Sequence, residues 1–375
     1  MKRDGGKTYK AYRFRLYPDK EQEELLGRTF GCCRFIYNRM LADKIEEYKK
    51  TGKMLHNTPA QYKKEFPWLK EVDSLALANV QLHLETAFRN FFSLPKAGFP
   101  RFRAKHHCRD SYTTNVVNGN IRLEGRRIRL PKLGTVRIIV HREIPGDAVL
   151  RSVTVTREPS GKYYASLLYE EAVCENQAGA LLHADKILGI DYAMDGLAVF
   201  SDGTRAEYPM YYRKAQKMLA KEQRRLFRCA AGSRNYGKQK RKVARCHEKI
   251  RNQRLDFQQK LSRKLSEEWD AVCVEDLDMQ AMSRGLHLGK GVMDNANGQF
   301  RDLLERKLTA QGKVFIRVDR FYPSSKKCSC CGRIKRELPL SERVYRCECG
   351  YEGDRDVNAA VNLREEGKRL LGLAG

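Results

Sequence analysis

No apolar run of roughly 18 residues occurs in this 375-residue chain, so no bilayer-spanning helix is expected. The opening residues, Met1-Lys2-Arg3-Asp4-Gly5-Gly6, lack the apolar segment of a secretory signal, so secretion is not expected either. A cytoplasmic location is the expectation. Acid is the scarcer charge: 46 Asp and Glu stand against 73 Lys and Arg, a net charge of +27. Such an excess favours a polyanion as partner, nucleic acid before a membrane surface, because the basic residues are spread through segments that look folded. Cysteine is not scarce. Without secretion, twelve cysteines, several in short paired spacings, point to thiolates on a metal rather than disulfides. With 41% hydrophobic residues and this length, two to three domains with sizeable cores are expected.

Residues 8–17 alternate large apolar and basic side chains, the period of a strand. Pro18 ends it, and Asp19 with Gln22 reads as a capping box for a helix. That helix sets Leu25, Leu26, Thr29, Phe30, Cys33, Ile36, Tyr37, Met40 and Leu41 on one side. A second helical stretch, about 73–92, offers Leu75, Leu77, Val80, Leu82, Leu84, Ala87, Phe88 and Phe91. From Ser111 to Glu170 short β-patterns recur, with Asn118-Gly119 and Glu124-Gly125 as hairpin signals. They predict a small antiparallel barrel or sandwich that includes residues 8–17, with the helices as an insertion. Between them, Gly98 to Lys105 interleaves aromatic and basic residues. Either Phe99 and Phe102 stack on bases while Arg101, Arg103 and Lys105 meet phosphates, or the strip is a linker whose Phe rings tuck into a core.

The run Ile187 to Ile190 has the length of a buried strand and ends in a carboxylate, Asp191. Leu197 to Phe200 reads as its return. Helices follow at about 209–228 and 235–267. The second carries Lys238, Lys240, Arg241, Lys242, Arg245, Lys249, Arg251 and Arg254 among its basic residues, against only Glu248 and Asp256 until Glu267 at its end. A charge run is usually a solvated face, but like charges one turn apart repel, so a polyanion contact is favoured. Ala271 to Glu275 is another apolar strand ending in a carboxylate. A Gly- and Asn-rich loop near 280–298, a candidate lid, a helix at 297–311 and a strand at 313–319 complete an α/β alternation on one sheet.

Cys328-x-x-Cys331 and Cys347-x-Cys349 bracket a short segment, and Gly332 and Gly350 permit the tight turns a tetrahedral zinc site needs. Cys330 is an alternative to Cys331. A closed shell of four thiolates makes this site structural. Beyond it, Asp354 or Asp356 caps a helix or ligates a metal. Three acids gathered in one cleft, Asp191, Glu275 and one of this pair, would repel each other unless divalent cations neutralised them. Two hard cations about 3.5–4 Å apart are a standard device for cutting phosphodiesters.

Residues 186–203, Val274-Glu275-Asp276-Leu277, Arg320-Phe321-Tyr322-Pro323-Ser324-Ser325-Lys326, the cysteine pairs and Asp354-Arg355-Asp356-Val357-Asn358-Ala359-Ala360 together resemble the TnpB family of transposon-encoded, RNA-guided nucleases, relatives of type V CRISPR effectors. Tyr12 to Pro18, Cys33 to Asn38, Gly98 to Phe102 and Lys242 to Ile250 match as well. The resemblance implies a multidomain α+β chain. A wedge-type β-barrel (1–18 and 95–172) holds an inserted helical recognition bundle (19–94). A RuvC-like α/β nuclease domain of RNase H fold (184–325 and 352–375) holds an inserted zinc ribbon (326–351). It implies catalysis by Asp191, Glu275 and Asp356 on a pair of Mg²⁺, with Asp354 as alternative or helper, and one structural Zn²⁺. It implies a guide RNA and double-stranded target DNA as partners, the target cut beside a short flanking motif. It implies one protomer per RNA and a cytoplasmic, nucleoid-associated protein of a bacterium or archaeon. A nuclease-independent DNA-binding regulator and a transposition protein are the alternatives.

Overall fold

The computed structural model describes residues 7–105, 107–172, 182–193, 196–276, 294–339 and 341–373. The chain divides into two compact units, residues 1–173 and 174–375. Among the described residues no helix is long and apolar enough to cross a membrane.

In the first unit β1 (Lys7–Tyr17) is followed by helices α1 (Lys20–Thr51), α2 (Tyr62–Glu65) and α3 (Ser74–Ser93). Strands β2 (Asp110–Asn115), β3 (Arg122–Glu124), β4 (Arg127–Leu130), β5 (Gly134–Ile139), β6 (Val149–Arg157) and β7 (Tyr163–Ala172) come next. All seven strands form one antiparallel sheet in the order β2-β6-β7-β1-β5-β4-β3. Tyr12, Phe14 and Leu16 of β1 are buried while Arg13 between them is exposed. A slip of one residue would push guanidinium groups into the core, so the pattern fixes the register.

The edge strands β2 and β3 are consecutive in the chain. From Asn115 to Arg122, seven residue steps reach at most about 25 Å, whereas a flat seven-stranded sheet would hold its edges about 29 Å apart. The sheet therefore curls. Asn118 and Gly119, both at positive φ, make the turn between these edges rather than a hairpin. No ladder joins β2 to β3 among the described residues, so the barrel expected here has its curvature with an open seam. Glu124-Gly125 does close a hairpin, between β3 and β4.

The Asp19 side chain accepts a hydrogen bond from the Gln22 N–H (2.8 Å), and the Gln22 side chain accepts one from the Asp19 N–H (3.2 Å). This box starts α1, and Gly52 in the left-handed region ends it. Leu26, Phe30, Cys33, Ile36 and Met40 of α1 share a core with Leu77, Val80 and Leu84 of α3 and with the sheet. Leu82, expected on the buried side of α3, is instead half-exposed.

In the second unit four strands pair in the order β11-β10-β8-β9: β8 (Ile187–Asp191), β9 (Val199–Phe200), β10 (Ala271–Glu275) and β11 (Val314–Val318). β10 runs parallel to both β8 and β11, and β9 is antiparallel to β8. Successive side chains point to opposite faces. Leu188, Ile190, Val272 and Val274 share a core with Leu265 of one long helix, α5 (Arg234–Glu268), and with Phe300, Leu304 and Leu308 of α6 (Asn297–Ala310). A further helix, α4 (Tyr211–Phe227), precedes α5. Ile187, Ala271 and Cys273 share the opposite core with Leu363 of α7 (Arg355–Leu370).

Helix α7 lies against the strands with no room to spare. A Cβ at Gly189 would stand 1.9 Å from the Ala360 carbonyl oxygen, and one at Gly367 would stand 1.9 Å from the Cys273 Sγ. Because a backbone oxygen cannot rotate aside, Gly189→Ala is expected to destabilise this unit by about 3 kcal/mol, the upper end of overpacking. Gly237→Ala, where an added Cβ meets nothing within 4 Å, is expected to leave the melt unchanged or raise it slightly. Thermal unfolding of the two variants makes the comparison.

Candidate carboxylate centre and cysteine cluster

Alternation along the strands decides where the acids go. Asp191 follows Ile187 and Gly189, and Glu275 follows Ala271 and Cys273, so both belong to the face that α7 covers. The last paired residues of β8 and β10 are Ile190 and Val274. Asp191 and Glu275 thus end adjacent parallel strands at their carboxyl ends, where open α/β sheets place ligands. Asp356 sits in the first turn of α7. Burial raises the Asp191 carboxyl, and the negative charges of Asp356 and Glu275 raise it further, to about 7. Burial likewise raises Glu275. Asp191 therefore feels carboxylates from two other elements. Carboxylate oxygens are the donor chemistry of hard divalent cations, so these residues fit such ions by type, although among the described residues the one group already drawn to mutual ligand distance is the cysteine cluster.

The two acids of the α7 start differ in their partners. Asp354 caps the helix: its Oδ1 accepts from the N–H groups of Asp356 and Val357, both at 3.0 Å, and its Oδ2 takes Arg205 at 2.8 Å. Both of its oxygens are thus in use. Among the described residues Asp356 pairs only with Arg205, at 3.8 Å, and its side chain is 22% exposed against 44% for Asp354. Arg205, bridged to Val199 beside β9, had no signal in a chain with 73 basic residues. Most of the candidate lid lies outside the described residues. At its end, Asp294 accepts from the N–H groups of Tyr212 (3.0 Å) and Arg213 (3.2 Å), capping α4, and the Asn295 amide donates to the Ala193 carbonyl (3.1 Å) just beyond Asp191.

The four predicted cysteines come together. Sγ atoms of Cys328, Cys331, Cys347 and Cys349 all lie within 4.8 Å of one another, Cys328–Cys349 at 3.8 Å and Cys331–Cys347 at 3.6 Å. Four sulfurs around a tetrahedral zinc would lie about 3.8 Å apart, so these thiols fit that ion. Cys330 is outside the cluster, which removes it as an alternative ligand. Gly332 and Gly350 take the positive φ expected of them and close turns back to the carbonyls of Cys328 and Cys347. The Cys349 N–H and the neighbouring thiols pull the Cys347 thiol down to about 7. Two buried asparagines of α7 fasten this segment. Asn358 accepts from the Ser329 N–H (2.9 Å) and donates to the Lys327 carbonyl (2.8 Å). Asn362 donates to the Ser324 and Lys327 carbonyls, both at 2.8 Å. One helix therefore carries Asp356 and anchors the cysteine segment.

A protein of Streptomyces pristinaespiralis named "Putative RNA-guided DNA endonuclease" is 35% identical over 370 residues, covering 96% of this chain and 89% of its own length. The chain belongs to the TnpB family. A second relative, "Putative RNA-guided DNA endonuclease InsQ" of Escherichia coli K12, is 32% identical over 97% of this TnpB chain and 94% of its own. Family profiles match in chain order: "Helix-turn-helix domain" at 8–53, "Probable transposase" at 172–285 and "Cas12f1-like, TNB domain" at 298–363. In this TnpB protein residues 8–53 fold as β1 and one unbroken helix. The fold resembles the protein chain of a Cas12f1–sgRNA–target DNA complex, with TM-score 0.60, 14% identity, and coverage of 96% of this chain and 99% of that one.

The basic residues of this TnpB chain divide by environment. On α5, Lys238, Lys240, Arg241, Lys242, Arg245, Lys249 and Arg251 are exposed, and Arg254 is partly buried. Its solvated side is thus dominated by one sign of charge, while Ile250 and Leu265 are buried. In the 98–105 strip both readings have a share. Phe99 packs edge-on against Phe88 and Phe91, whereas Arg101, Phe102 and Lys105 are exposed. Arg103 stacks over Tyr37, its guanidinium 3.7 Å from the ring centre, and its backbone is clamped by Asn38. That contact binds the strip to α1.

Proposed function

We propose that this protein is an RNA-guided DNA endonuclease that hydrolyses target phosphodiesters with divalent cations held by Asp191, Glu275 and Asp356. The observation that carries the reading is a buried strand-end carboxylate, Asp191, that feels the charges of a second strand-end acid, Glu275, and of Asp356 at a helix start, in a chain with net charge +27. The printed names of both full-length relatives agree with it. In this reading the curled sheet is the wedge-type domain (1–18 and 95–172) with the helices 19–94 as recognition bundle. Residues 184–325 and 352–375 are the RuvC-like domain, and 326–351 its zinc ribbon. The exposed face of α5 with Arg101 and Lys105 meets guide RNA and heteroduplex through phosphates, so affinity falls with salt, while Phe102 offers a ring to a base.

When bound, divalent cations supply the acidity that makes water a nucleophile and the charge that stabilises the leaving oxygen. The chain's own residues do the rest. Asp354 fixes the start of α7 and thereby the aim of Asp356. Arg205, between Asp354 and Asp356, would offer its guanidinium to a phosphate at this centre. Purified protein with its guide RNA, Mg²⁺ and a matched plasmid is expected to cut. Omitting the RNA, or mismatching the target, is expected to abolish cutting. Equal cutting without the RNA would overturn the guided mechanism.

A further inference from the structure

We propose that Phe321 is a stacking platform for one base of the single-stranded DNA brought to the carboxylate centre. This deepens the nuclease reading and rests on it. Phe321 is 86% exposed, and its exposure is built rather than frayed. Its N–H is held by the Asp319 carboxylate at 2.8 Å, and the Tyr322 N–H by the Asp319 carbonyl at 3.0 Å. Tyr322 packs into the core under α7 and donates its hydroxyl to the Asn362 carbonyl at 3.3 Å. Ser324 closes the next turn onto the Tyr322 carbonyl and in turn accepts from Asn362. The loop is thus pinned on both sides of one exposed aromatic ring.

Its position supplies the occupant. Phe321 follows β11 by three residues. Val318, the last residue of β11, is in register with Glu275, so the loop leaves the sheet at the end where Asp191 and Glu275 stand. Arg320, half-exposed beside it, reaches Asp276, the residue after Glu275, at 3.7 Å. A solvent-facing ring flanked by a guanidinium, next to a site that takes a phosphodiester, fits a nucleotide with its base on Phe321 and its phosphate toward Arg320. A duplex has no unstacked base to offer, which selects single-stranded DNA.

The test uses full-length protein with its guide RNA and a cleavage-dead background, Asp191→Asn. Single-stranded DNA carrying 2-aminopurine at successive positions reports stacking by quenching. One position is expected to be quenched. Phe321→Ala is expected to lose that quench and weaken binding by about fivefold to 150-fold. Phe321→Trp is expected to keep it, and Phe321→Leu to lose it despite similar bulk. Removing so exposed a ring leaves the thermal melt unchanged, which separates stacking from folding. Quenching that survives Phe321→Ala overturns the inference, as does loss confined to an RNA oligonucleotide. If wild-type protein fails to cut yet the quench follows Phe321, the nuclease reading fails and the platform stands. If it cuts and Phe321→Ala changes neither quench nor affinity, the platform fails alone.

Discussion

Asp191→Asn should lower target cleavage by more than about 100-fold, the most that losing an outer-shell partner of a metal ligand costs. Asparagine keeps the shape and removes the charge, so guide binding should persist while cutting stops. The same substitution has a second signature that does not depend on activity. In the folded, metal-free protein the Asp191 carboxyl is raised to about 7 from an ordinary value of 3.8. Between those values the folded state holds a proton that the unfolded chain has released. The stability contributed by this group is therefore full below about pH 4, falls as pH rises towards 7, and stays low above it. Asp191→Asn should melt above wild type at pH 8 without metal, and the gap should close at pH 4. Mg²⁺ should stabilise wild type more at pH 8 than at pH 5.5, because protons compete for the same oxygens, and the variant far less at either pH. A wild-type melt that Mg²⁺ leaves unmoved at pH 8, or cutting that survives Asp191→Asn, would overturn the assignment of this centre.

Removing zinc should have an effect of comparable size. Apparent binding energies of about 10–16 kcal/mol are known for structural zinc in small cysteine and histidine modules, as large as the whole stability of many domains. The segment 326–354 is held by its cysteine cluster, the short hairpin of β12 (Val344–Arg346) with β13 (Glu352–Asp354), and the asparagines of α7. A strong chelator or Cys347→Ser should unfold this segment, loosen α7 at its Asp356 end and end cleavage. Cys330→Ser should retain one zinc per chain, by colorimetric release. A melt that ignores the chelator would overturn the zinc assignment.

Much of this was legible in the sequence because it depends on short-range rules. The Asp19–Gln22 box, the alternation in residues 8–17, the strands ending at Asp191 and Glu275, and the glycines after each cysteine pair are local. What was not legible depends on distance. Nothing near Arg205 says that it meets Asp354 and Asp356, 149 and 151 residues on. Asp354 and Asp356 could not be separated until the cap showed which carboxylate was occupied. Asn358 and Asn362 read as helix residues, and their work lies in carbonyls some 30 to 40 residues upstream. Asn118-Gly119 gave the correct backbone angles and the wrong strand partners, because turn chemistry fixes a bend and not which strands it joins.

The two-residue repeat of β8 has an evolutionary corollary. Inserting or deleting a single amino acid between Gly189 and Asp191 would swing the carboxylate away from α7 and into the company of Phe300 and Leu304, a place where its charge has no counterpart. Ile187, Leu188 and Ile190 can exchange with other apolar residues, but Gly189, Asp191 and the length of the strand cannot change, so an indel here would leave an intact open reading frame encoding an inert protein.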